Sequence, residues 1–321
     1  MRSQDHMSRL FSVAGALCAA LALAACGPGL EGVAEAVSVT KASRFTVAGP
    51  PAAPVRLHTE EEGAGPALLL IHGFGANNYS WRAVRPELAR THHVIAVDLK
   101  GFGRSDKPLD EDYSALDQAK LLLQLLDQRG IREVSVAGHS FGGGVALTLA
   151  LELNRKHPGR LKKLILVDSV AYQQGLPPAL HVLRTPYVGP ASAAIVPPIL
   201  QSSAALVLAY KDNSKITQEA IDAYARPMYE PGNRHALVKT AEKILPEHIN
   251  ILTHEYRTIS QPVLLIWCRE DRIVPLAVGQ RLARELPNAR LEVIETCGHV
   301  PQEEEPAATA GLMQRFLLRK S

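Results

Sequence analysis

The sequence has no run of Lys and Arg with interleaved aromatics, and its 35 basic and 32 acidic residues leave a formal charge of only +3. That balance offers no footprint for nucleic acid. The apolar stretch near its start, Leu10–Ala25, is sixteen residues long, short of the ~20 that a membrane-spanning helix needs. No second ligand pair at metal spacing accompanies the adjacent His92 and His93, which read as surface residues. No phosphate-cradling loop and no internal repeat is evident, and no cofactor is implied. What remains is 46% hydrophobic and 21% charged, the make-up of a globular protein with a large core.

The first segment stands apart. Arg2 and Arg9 precede the uncharged Leu10–Ala25 stretch, the order of an export signal over residues 1–25. The stretch ends in Leu23-Ala24-Ala25-Cys26, which resembles the lipobox of bacterial lipoproteins. That resemblance implies cleavage before Cys26, a lipid on its thiol and a membrane as partner. Gly27 after the cysteine, in place of Asp, points within that family to the outer membrane, facing the periplasm. The plainer alternative is an ordinary signal peptide with Cys26 incidental. Residues 26–42, rich in Gly, Ala, Val and Glu, read as a tether.

From Ala67 onward short apolar runs alternate with helical patterns. Strands are expected at Ala67–Ile71, His93–Leu99, Val134–Ala137, Lys163–Val167, Val263–Trp267 and Arg290–Glu295. Runs such as Leu68-Leu69-Leu70-Ile71 suit strands covered on both faces, so the fold class is α/β with a mostly parallel, doubly wound sheet of about eight strands. Arg44–Ala48 and Val55–Glu60 read as an antiparallel hairpin at its edge. Ser114–Gln128 reads as a helix stopped by Gly130. The alternation fails over residues 172–256, which are Pro-rich and without strand periodicity. A helical cap is expected there, dividing the core into residues 43–171 and 257–321.

The strongest local signal is Gly138-His139-Ser140-Phe141-Gly142, directly after the strand Val134–Ala137 and before a helical segment, Gly143–Leu153. A serine on a sharp strand-to-helix turn sits in a strained backbone conformation, and neighbours two positions away must lack a Cβ. The helix beginning beneath it favours developing negative charge.

Four spaced motifs together resemble the α/β-hydrolase superfamily, in its capped esterase, epoxide-hydrolase and C–C-hydrolase-like branch. They are His72-Gly73-Phe74-Gly75, Asp98-Leu99-Lys100-Gly101-Phe102-Gly103-Arg104-Ser105, the serine elbow, and the late Asp271 and His299 segments. The resemblance covers residues 43–321. It implies that Ser140 is the nucleophile, that His299 after the last strand is its base, and that Asp271 orients the imidazole. The rival acid is Asp168, at the end of the preceding strand, a position that some relatives use; Glu270 is a weaker third. The resemblance also assigns the backbone N–H groups of Phe74 and Phe141 to the oxyanion. The Asp98–Ser105 segment reads as structural. Haloalkane dehalogenases and epoxide hydrolases of this fold carry an aspartate at the elbow, so Ser140 favours an acyl-enzyme.

Of the four cysteines, Cys18 leaves with the signal and Cys26 carries the lipid, which leaves Cys268 and Cys297. They end neighbouring strands in an exported domain, so a disulfide is expected between them; two buried free thiols are the alternative. A Cα separation beyond ~7 Å would exclude the bridge.

The expected activity is hydrolysis of a carboxylic ester, with an apolar small molecule as substrate. Carbon–carbon, lactone or amide cleavage on the same residues is the alternative, and a non-catalytic binding lipoprotein a more distant one.

Overall fold

A computed structural model describes residues 41–47, 54–245 and 249–319. The export segment, Cys26 and most of the tether lie outside the described residues. The last two tether residues, 41 and 42, belong instead to the first strand, because they pair with Glu61 and Glu60.

Eight strands form one sheet: β1 (Lys41–Val47), β2 (Val55–Glu62), β3 (Ala67–Ile71), β4 (His93–Val97), β5 (Val134–His139), β6 (Leu161–Val167), β7 (Val263–Cys268) and β8 (Ala289–Ile294). Their order is β1-β2-β4-β3-β5-β6-β7-β8. β1 and β2 form the expected antiparallel hairpin, β2 runs antiparallel to β4, and every later pairing is parallel. Successive side chains on a strand face opposite ways. Leu69 and Ile71 of β3 accordingly enter one hydrophobic cluster, and Leu68 and Leu70 enter another. The apolar runs are thus explained by a sheet with a core on each face. β8 is the exception. It closes the sheet as an edge strand, so Arg290 and Glu292 are tolerated there.

The core helices are α1 (Arg85–Ala89), α2 (Ala115–Gln128), α3 (Phe141–Lys156), α10 (Leu276–Glu285), α11 (Pro301–Glu304) and α12 (Pro306–Leu318). Between β6 and β7 come α4 (Pro178–Arg184), α5 (Val188–Ile195), α6 (Pro198–Ala209), α7 (Gln218–Ala225), α8 (Asn233–Glu242) and α9 (Ile249–Glu255), with no strand among the described residues. These inserted helices touch the loops that follow the sheet strands. Lys107, after β4, pairs with Glu230, and the chain at Lys211 and Asp212 meets Glu304.

Several boundaries move for identifiable reasons. Ser114 is the N-cap of α2 and forms a capping box with Asp117, so the helix proper starts at Ala115. β4 ends at Val97, two residues early, because Leu99 turns its N–H onto His72 Nε2 at 3.0 Å. α3 begins at Phe141 rather than Gly143, immediately after Ser140. His92 is buried, not at the surface, with its Nδ1 2.8 Å from Thr91 Oγ1; His93 is half-buried against Glu61.

Candidate active site

Parallel strands carry the loops after their carboxyl ends to one edge of the sheet. Ser140 follows β5, Asp271 follows β7 and His299 follows β8. The structure brings all three together. His299 Nε2 lies 2.8 Å from Ser140 Oγ, and His299 Nδ1 lies 2.7 Å from Asp271 Oδ2. All three residues are buried. Asp271 Oδ1 accepts the N–H groups of Ile273 and Val274 at 2.7 and 2.9 Å, which leaves Oδ2 free for the imidazole. An Nδ1–H facing that carboxylate gives Nε2 the lone pair that a serine proton needs.

The elbow is built as its sequence requires. Ser140 has φ +55°, a conformation that L side chains rarely adopt. A Cβ on Gly138 would stand 2.2 Å from Gly142 O, and one on Gly142 would stand 2.3 Å from His72 O, so both positions must be glycine. Phe141 is the first residue of α3, and Phe74 lies in the loop after β3. Among the described residues no acceptor meets the backbone N–H of either. A Cβ on Gly73 would come within 3.2 Å of the Ser140 Cβ, which sets that loop beside the hydroxyl. His72 anchors the loop. Its Nδ1–H donates to Gly73 O at 2.8 Å and its Nε2 accepts from Leu99; burial pushes its pKa down and keeps it neutral. Asp98 does the structural work expected of its segment, accepting from the Asn78 and Arg104 N–H groups at 2.7 and 2.8 Å.

Three groups hold the main chain at His299, and sequence reasoning missed them. Its N–H donates to Ala209 O, the last residue of α6, at 2.6 Å. Its carbonyl accepts from Nε2–H of His139 at 2.7 Å. Glu304 Oε2 accepts the Gly298 N–H at 2.6 Å, while Oε1 accepts those of Lys211 and Asp212 at 2.9 and 3.0 Å. Burial pushes the His139 pKa well below the usual range, so its ring stays neutral. Beside these, buried Glu303 takes hydrogen bonds from Tyr224, Tyr210 and Arg82, and burial raises its pKa against their pull.

Asp168, the rival acid, does not face the imidazole within hydrogen-bond reach. Its Oδ1 accepts the Cys268 N–H at 2.9 Å, and its Oδ2 is buried without a donor. Burial, then the neighbouring Asp271 carboxylate, raise its pKa well above the usual range. A proton on Asp168 would turn this orphaned oxygen into a donor beside Asp271. Cys268 and Cys297 are joined in a disulfide with their Cα atoms 5.3 Å apart, within the reach of a bridge. Glu270 pairs with Lys211 and takes no part in the site.

Comparison with known proteins gives the same fold. Residues 66–306 match the family described as alpha/beta hydrolase fold. The chain belongs to the alpha/beta hydrolase family. Among relatives of this hydrolase, an uncharacterized Bacillus subtilis hydrolase, YugF, is 31% identical over 278 residues, covering 85% of this chain and 95% of that one. A 2-hydroxymuconate semialdehyde hydrolase of Pseudomonas sp. is 30% identical over 272 residues, covering 83% and 92%. The solved 2-hydroxy-6-oxo-6-phenylhexa-2,4-dienoate hydrolase of a Rhodococcus strain superposes with a TM-score of 0.74 at 26% identity, covering 88% of this hydrolase and 100% of that chain.

Proposed function

We propose that this hydrolase cleaves a carboxylic ester of an apolar substrate through an acyl-enzyme on Ser140. The observation that carries the reading is the unbroken relay from Asp271 through His299 to Ser140, with both contacts under 3 Å. Ser140 Oγ attacks the carbonyl carbon as His299 Nε2 takes its proton, and Asp271 stabilises the imidazolium. The Phe74 and Phe141 N–H groups receive the oxyanion, each contributing about 3–4 kcal/mol to lowering the barrier. His299 then protonates the leaving alcohol, and water releases the acid by the same relay in reverse. An apolar substrate is supported by a cluster beside the relay, where Leu206, Tyr210 and Tyr224 pack with Val300 and Ile273, neighbours of His299 and Asp271.

A second reading, hydrolysis of a carbon–carbon bond beside a ketone, is favoured by the activities named for the relatives. A dienoate substrate carries a carboxylate that needs a cation, a requirement that a neutral ester does not make. The anchor belongs to the same proposal: Cys26 lipidated, residues 26–42 as tether, and the enzyme on the outer membrane facing the periplasm, with residues 172–256 as its cap.

A fluorophosphonate probe tests the chemistry. Labelling of the parent, its loss in Ser140→Ala and a turnover loss of several orders of magnitude are expected. A folded protein that ignores the probe would return the reading to a binding protein. A panel of p-nitrophenyl esters of rising chain length, run against a dienoate ketone, separates the two substrate classes.

A further inference from the structure

Residues 185–210 contain no Asp, Glu, Lys or Arg, and Asp or Glu is absent from the whole stretch between Asp168 and Asp212. In a chain with 21% charged residues, 26 consecutive uncharged positions are a compositional break. This segment forms α5 and α6. Their inner sides are used for packing, with Gly189, Ala193, Leu206 and Ala209 buried. Their outer sides are apolar and bare. Tyr187 is 91% exposed, Ile195 78% and Leu200 58%, with Val188 and Val207 also in water. A soluble surface seldom leaves so many large apolar side chains of one short segment uncovered.

We propose that the outer face of α5 and α6 is a membrane-docking surface, which seats in the headgroup–acyl boundary of an anionic phospholipid bilayer. Neither helix is long enough to cross: eight and twelve residues are about 12 and 18 Å at the α-helical rise. No single helix among the described residues is long and apolar enough to span, and these two are bent by 104° at their break. Packed against the fold on one side and bare on the other, the pair would lie in the interface plane. The charge pattern selects lipid over a second copy of the chain. Arg184 ends α4 without an ion-pair partner among the described residues, and Lys211 and Lys215 follow α6, paired with Glu270 and Glu305. Arg184 beside an acid-free apolar face matches an anionic headgroup, and an exposed tyrosine suits the boundary itself. The sequence adds reach: fourteen residues lie between Cys26 and Lys41, enough for a span of up to about 50 Å. A lipid on Cys26, as proposed above, would hold the protein at a bilayer. α6 ends on the carbonyl that holds His299, so the docked face adjoins the catalytic relay.

The experiment uses the full chain carrying Ile195→Cys, labelled with an environment-sensitive fluorophore, on vesicles of phosphatidylethanolamine and phosphatidylglycerol. Cys268 and Cys297 are bridged, and the parent protein taken through the same labelling gives the background. The expected result is a blue-shifted emission, quenched several-fold more by lipids spin-labelled near the headgroup than at the same fluorophore on Lys162→Cys of β6. Adding Leu200→Glu should remove the shift while turnover of a short soluble ester stays unchanged. A water-like signal at position 195 overturns the proposal, as does failure to bind vesicles. A blue shift that follows protein concentration and ignores the spin-labelled lipids overturns it in favour of a second copy. Fluorophosphonate labelling is scored in parallel, so an inactive Ser140 does not count against docking.

Discussion

His139 reaches past Ser140 to hold the base: its Nε2–H donates to the main-chain carbonyl of His299 at 2.7 Å, with the two rings 4.8 Å apart. The residue beside Ser140 thus fixes the backbone of the residue whose imidazole faces the Ser140 hydroxyl. Loss of this buried bond leaves a carbonyl unpaired, worth about 1–3 kcal/mol. His139→Phe should lower kcat by about tenfold to a hundredfold, at 1.4 kcal/mol per decade, with KM little changed. Steady-state kinetics beside a melting curve decides the point. A lower Tm with normal kcat would reduce His139 to a packing residue.

Burial and the neighbouring Asp271 carboxylate favour the protonated form of Asp168. An acid with a higher pKa folded than unfolded keeps its proton in the native state where the unfolded chain has lost it. Its contribution to stability is therefore whole below ~3.9 and falls as pH rises toward the native pKa. Asp168→Asn removes the titration yet retains an acceptor for the Cys268 N–H and a donor for Asp271. The variant should melt higher than the parent at neutral pH, with the gap closing as pH approaches ~4. Activity should stay within about tenfold, since one hydrogen bond near 1 kcal/mol is at stake. Parallel melting curves across pH test both statements.

The Cys268–Cys297 bridge spans 29 residues of sequence, including Asp271, and its second cysteine lies just before Gly298 and His299. In the chain-entropy account a loop of this size is worth about 2–4 kcal/mol. Replacing both cysteines by alanine should lower the unfolding free energy by that amount, with a lower urea midpoint and a steeper slope because the freed unfolded chain exposes more surface. An unchanged midpoint would remove the bridge from the stability account.

Glu304 accepts three backbone N–H groups, one from the base loop and two from the chain leaving α6. Glu304→Ala orphans all three. It should destabilise the protein by about 2–4 kcal/mol and slow fluorophosphonate labelling of Ser140. Glu304→Gln, which keeps one acceptor oxygen, should fall between the parent and the alanine variant. Equal labelling rates in all three proteins would separate Glu304 from the relay.

The sheet and its strand count were legible because each has a local cause, whereas the order Ser, Asp, His was read from the family resemblance. Covered strands demand apolar runs such as Leu68–Ile71, and a strained serine turn demands glycine at 138 and 142. The supports of the site have no such local mark. Glu304 sits in a run of three glutamates, which reads as a solvated face until the chain beyond α6 folds onto it. His139 looks like filler between Gly138 and Ser140, and its role depends on a carbonyl 160 residues away. The burial of His92 is likewise a tertiary property. The bare outer face of α5 and α6 was invisible for a related reason: apolar side chains in sequence do not say which side of a helix will be covered.

The bond from His299 N–H to the carbonyl of Ala209 makes the Asp271–His299–Ser140 geometry depend on α6 as well as on the sheet. No Cβ fits at Gly298, where it would stand 2.3 Å from that carbonyl, so the two segments are in contact through bare backbone. Anyone grafting a different lid onto this scaffold to change its substrate must therefore transplant around residues 209–212 and leave that seam intact. Cut there, the sheet would keep its serine and its aspartate but lose the register of the imidazole between them.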